Sequence, residues 1–134
     1  MIINLQLKTK KEAVTTYLSL LYRFHKLSDR ELDLAVELIM AYFNAIDVYE
    51  STKAADKLYL DTDNREAIMK SLELTPQVFR NYLTTFKKKG VLKEDGTLNK
   101  VLVPDIENNK FNLTINLSFD VQERLTSEVH KEGS

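Results

Sequence analysis

The chain has no cysteine and no tryptophan. Without a thiol it can have no disulfide framework, no Cys-ligated zinc or iron–sulfur site and no thiol nucleophile. Its two histidines, His25 and His130, lie far outside HExxH spacing, and its three glycines, Gly90, Gly96 and Gly133, cannot make a phosphate-cradling loop. Asp61, Asp63 and Glu66 come nearest to a cation site, but they lack the glycine and distal Glu of an EF-hand and read as a strand exit and helix start. No catalytic residue, no metal and no cofactor is expected. No apolar run approaches the ~20 residues of a membrane-spanning helix. The start, MIINLQLKTKKE, alternates apolar and polar residues and lacks a small-residue cleavage site, so it does not read as a secretory signal.

What is present fits one domain: 134 residues, 43% hydrophobic and 29% charged. Such a chain buries roughly two thirds of its unfolded surface and needs no metal to fold. The formal net charge is -1, from 19 Lys+Arg against 20 Asp+Glu. That balance hides a pattern. Residues 1–27 carry a net +4, residues 28–66 a net -6, residues 75–100 a net +4 and residues 101–134 a net -3. Partner arguments therefore belong to the blocks rather than to the total.

Periodicity and capping signals give a provisional order of elements. Ile3, Leu5 and Leu7 alternate as a short strand. Thr9 with Glu12, and Ser28 with Glu31, form capping boxes that open helices over about 10–26 and 29–47. Residues 48–57 read as a polar loop, and Lys57–Asp61 as a short strand around Leu58 and Leu60. Asp63 and Glu66 suggest the start of a helix over about 64–72. Thr75 before Pro76 is a cap residue followed by proline at the first helical position, opening a helix over 76–89 that Gly90 ends. Phe111, Leu113, Ile115, Leu117 and Phe119 alternate as the clearest strand. Val121, Leu125 and Val129 could place a short helix in the polar tail of 120–134.

From Leu72 the chain reads Leu72-Glu73-Leu74-Thr75-Pro76-Gln77, and it leaves the next helix through Leu83-Thr84-Thr85-Phe86-Lys87-Lys88-Lys89-Gly90-Val91-Leu92. This resembles the winged helix-turn-helix family over about residues 58–119. The resemblance implies an α+β fold with residues 1–57 as an N-terminal strand and helical extension, possible as an oligomerisation element. It implies a recognition helix at 76–89 and a wing near 93–111. It also implies duplex DNA as partner, for a transcription regulator or replication accessory acting as a homo-oligomer in the cytoplasm.

The residues suit that reading. Arg pairs with guanine in two-pronged fashion, Asn or Gln with adenine, and lysines meet phosphates. The contact set is Thr75, Gln77, Arg80, Asn81, Thr84, Lys87, Lys88, Lys89 and Lys100. Simpler readings stand beside it. Lys87–Lys89 complement the helix dipole, and Arg80 and Asn81 suit any solvated face. The alternative function is assembly. In style the chain looks like small tailed-bacteriophage proteins such as head–tail connector ring components, which would place it in a virion, its charged blocks docking against neighbouring subunits.

Overall fold

The computed structural model describes residues 9–107 and 110–112, and these are mostly helical. The expectation of an α+β winged-helix domain is corrected on this point. Six helices carry the fold among the described residues: α1 (Lys10–Leu20), α2 (Tyr22–His25), α3 (Asp29–Tyr49), α4 (Thr52–Leu58), α5 (Thr62–Ser71) and α6 (Pro76–Lys89). Extended structure there is confined to β1 (Asp105–Glu107) and β2 (Lys110–Asn112), paired antiparallel with Ile106 opposite Phe111, and to a bridge between Leu92 and Leu98. The strand expected at Ile3–Leu7, most of that expected at Phe111–Phe119, and the tail helix lie outside the described residues.

The long helix α3 is the hub. Ser28 and Glu31 form the expected capping box at its start, the Ser28 hydroxyl accepting from Glu31 N–H and the Glu31 carboxylate accepting from Ser28 N–H. One face then buries Leu34, Ala35, Leu38, Ile39, Tyr42 and Ala45. Val14 and Leu18 of α1, Ala55 of α4 and Ile68 of α5 pack against it, and Phe79 and Phe86 of α6 belong to the same buried cluster, which runs on to Leu102. Each large apolar side chain buried there contributes about 1.5–3 kcal/mol.

Three local expectations are corrected. The helix predicted over 10–26 breaks at Leu21, and Lys26 closes α2 in the left-handed conformation at φ 52°. His25 enforces the break. Its Nε2–H donates to the Leu18 carbonyl at 2.6 Å, and its Nδ1 accepts Leu27 N–H at 3.0 Å. The loop and strand predicted over 48–61 are instead the end of α3 and the helix α4, capped by Ser51. Tyr59, between Leu58 and Leu60, is the buried residue, so the alternation seen in the sequence points the wrong way. Helix α5 starts at Thr62, capped by Asp61 rather than Asp63. The Asp61 carboxylate accepts Asn64 N–H at 2.9 Å, while the Asn64 side-chain amide donates to the Tyr59 carbonyl.

Helix α6 keeps its predicted bounds. The Thr75 hydroxyl accepts Val78 N–H, Pro76 occupies the first turn, and Gly90 at φ 80° ends the helix. The amides of Val91 and Leu92 both turn back to the Phe86 carbonyl, which buries their side chains. A tight turn over 93–97 follows, closed by Lys93 N–H donating to the Thr97 carbonyl.

Candidate nucleic-acid interface

Helix α6 is anchored by few residues. Phe79 and Phe86 are buried, Tyr82 and Leu83 are half-buried, and the stripe Gln77, Arg80, Asn81, Thr84, Lys87 and Lys88 is exposed. Its inner side faces the start of α3, where a shallow groove is lined by Arg30, Asp33, Leu72, Glu73 and Tyr82. The outer side meets solvent. No acidic residue occurs from Leu74 to Lys93, while five basic ones do. Glu73, exposed at the link before α6, is the nearest acid in sequence.

Polar groups on the exposed stripe bond to one another. Arg80 Nη2 donates to Gln77 Oε1 at 3.0 Å, and Gln77 Nε2 donates to Asn81 Oδ1 at 3.0 Å. One turn on, the hydroxyls of Thr84 and Thr85 donate to the Arg80 and Asn81 carbonyls. The network holds the three long side chains side by side over the first two turns of the helix.

The ion pairs sort the cations. Lys11 meets Glu37 at 2.9 Å, Lys10 meets Asp47 at 3.9 Å, Lys89 meets Glu31 at 2.7 Å, and Lys100 meets Asp56. Each pair joins a positive block of the sequence to the acidic block of 28–66. Arg80, Lys87 and Lys88 make no ion pair with any described residue. Other described cations, Lys57 and Lys93 among them, are likewise outside these pairs, but Arg80, Lys87 and Lys88 share one helix face without an acid on it.

Three of the sequence-predicted contacts have structural duties. Lys89 donates to the Lys26 carbonyl as well as to Glu31, locking the end of α6 to the capping box of α3. Burial pushes the Glu31 carboxyl up, but the Lys89 ammonium and the Ser28 donors outweigh it and hold the group below the ordinary carboxylate range. Lys100 lies with its ammonium 4.6 Å from the centre of the Tyr42 ring and donates to Asp56. Thr75 acts as the helix cap. Gln77, Arg80, Asn81, Thr84, Lys87 and Lys88 stay together on the open face.

The surface presents hydrogen-bonding side chains and three cations to solvent. Of the acids Asp61, Asp63 and Glu66, Asp61 accepts Asn64 N–H as a helix cap, and no group of acids or histidines that could hold a metal occurs among the described residues. A residue that sequence reasoning missed is Tyr59, whose hydroxyl donates to the Gly96 carbonyl at 2.7 Å and pins the 93–97 turn behind α6. Burial pushes its phenol well above the ordinary tyrosine range. No family model, no curated protein and no solved structure matches this chain.

Proposed function

We propose that this chain is a non-enzymatic protein that binds duplex DNA through the exposed face of α6, as a transcription regulator or replication accessory. The observation that carries this reading is that Arg80, Lys87 and Lys88 lie together, with no ion pair to any described residue, on a helix face that carries no acid. A helix about 10–12 Å across fits the major groove, and a polar stripe without acids can approach phosphates.

The test is titration of a fluorescent mixed-sequence duplex by anisotropy at ~50 and ~200 mM salt. Three phosphate-facing cations give a log–log salt slope of about -3. Changing Arg80, Lys87 and Lys88 together to Glu abolishes binding with the helical signal unchanged. Failure to see salt-sensitive binding at ~50 mM overturns the proposal.

One observation favours a second reading, that of a subunit in a larger assembly such as a bacteriophage virion. Leu20, Tyr22 and Phe24 expose large apolar side chains at the α1–α2 break, Phe24 at 65%. A Phe24→Ser variant that turns an oligomer into a monomer would support that reading, and a wild-type protein monomeric at all concentrations would remove it.

A further inference from the structure

We propose that the groove between α4, the start of α5 and the 93–97 turn binds the phosphate group of a small phosphate monoester, at a site separate from the exposed face of α6. The groove has a volume of about 590 Å³. Lys53 and Lys57 of α4 and Arg65 of α5 reach it from one side, and Gly96 and Thr97 of the turn close the other. Buried Tyr59 also lines it and donates its hydroxyl to the Gly96 carbonyl at 2.7 Å, so the turn is held in place against α4.

The three cations are free to meet a ligand. Lys53 and Lys57 stand one helical turn apart and so share a side of α4. Neither makes an ion pair with any described residue. Arg65 is restrained without being used up. Its Nε–H donates to the Leu60 carbonyl at 3.0 Å, and its two terminal nitrogens have no partner among the described residues. Those nitrogens are the fork that grips two oxygens of one phosphate.

The two acids of the groove are already engaged. Asp56 accepts the Lys100 ammonium, and one oxygen of Asp95 accepts both Thr97 N–H at 3.0 Å and the Thr97 hydroxyl at 2.7 Å. With Lys100 counted, four cations face two acids, an excess of two positive charges. A phosphate monoester carries close to two negative charges at neutral pH and three oxygens that accept hydrogen bonds. A backbone phosphodiester carries one charge and two such oxygens, so the charge of the groove fits the monoester better. The volume lies within the ~300–1,000 Å³ of small-molecule sites and leaves room for the organic part of the ester.

The experiment titrates ribose 5-phosphate into the full chain, labelled with the nitrogen isotope seen by NMR. Phosphate-free ribose and sodium chloride, at matched ionic strength, are the controls. The Gly96 and Thr97 amides and the Arg65 Nε–H are expected to shift saturably with the ester and with neither control. Arg65→Lys keeps the charge but loses the fork and the bond to Leu60, and should weaken binding about ten-fold. Lys57→Ala, on an exposed side chain, should weaken it with the helical signal unchanged. The combined Arg80→Glu, Lys87→Glu and Lys88→Glu variant should bind the ester as the wild type does. Shifts that fail to saturate, or that chloride reproduces, overturn the site, as does undiminished affinity in both Arg65→Lys and Lys57→Ala. If a mixed-sequence duplex shifts the same groups in the combined variant at lower concentration than the ester does, the groove belongs to the DNA backbone and the small-ligand assignment falls.

Discussion

At the scale of single residues, the adjacent lysines of α6 divide into two kinds. Lys89 reaches Glu31 at 2.7 Å and the Lys26 carbonyl at 3.3 Å, whereas Lys87 and Lys88 project into solvent. Lys89→Met is therefore expected to lower stability with little effect on DNA affinity. Lys87→Ala or Lys88→Ala is expected to leave the melting temperature in place and to flatten the salt slope by about 1. Denaturant unfolding and anisotropy on the same variants check both halves. The Glu31 end of the pair makes stability depend on pH. Its folded-state carboxyl titrates below the ordinary range, so its contribution is complete above the unfolded value of about 4.3 and is lost as pH falls through the folded one. Glu31→Gln keeps an acceptor for Ser28 N–H but should cost roughly 1–2 kcal/mol at pH 7, through the lost carboxylate charge opposite Lys89. That deficit should shrink below about pH 4, and a deficit unchanged down to pH 3 would contradict the account. His25 is a second residue whose partners are both fixed. His25→Ala leaves the Leu18 carbonyl and Leu27 N–H without partners in a buried site and opens a cavity. A loss of about 2–3 kcal/mol in urea unfolding is expected.

At the scale of elements, what could be read from the sequence depended on whether local chemistry or distant packing decided the outcome. Helix α6 was legible to the residue because its stop and start signals are local: a threonine cap, a proline in the first turn and a glycine at φ 80°. The capping box of α3 was legible for the same reason. Helix α4 was not, since its inward side shows only Ala55 and the following Tyr59, and the leucines on either side of Tyr59 imitate a strand. The break at Leu21 was hidden too. The apolar spacing continues to Phe24, but that residue is exposed and the polar His25 is the one buried. In the candidate site, the residue types were readable and their division of labour was not. The acids that claim Lys89 and Lys100 lie 58 and 44 positions away along the chain. The C-cap of α6 offers a check at this scale. Nothing lies within 4 Å of a Cβ built on Gly90, so Gly90→Ala tests backbone strain alone. A left-handed alanine should destabilise by about 1 kcal/mol, and Gly90→Asn by less. Equal stability of the three proteins would mean that the φ of residue 90 is not held.

At the scale of the whole molecule, the positive blocks of the sequence are not independent of the acidic one. Among the described residues four ion pairs connect them, and α3 supplies the acid in three. The same helix is the apolar hub. Tyr42 on α3 meets Tyr59 edge to face at 6.3 Å between ring centres, while Leu34 through Ala45 share one cluster with Phe79 and Phe86. Helix α6 therefore has no core of its own on which to present its polar stripe. Its two buried phenylalanines, worth about 3–5 kcal/mol each on truncation to alanine, need α3 as their counter-surface. It follows that residues 58–134 produced alone should lack a cooperative transition in circular dichroism and should not bind duplex DNA. The full chain should melt in a single step, detected alike by helical signal and tyrosine fluorescence. Adding a peptide of residues 1–57 in trans should restore helicity in the fragment if the shared core is what it lacks. A fragment 58–134 that folds and binds unaided would show that the α5–α6 pair is a self-sufficient reader, and that α3 serves it only as an acidic counterweight.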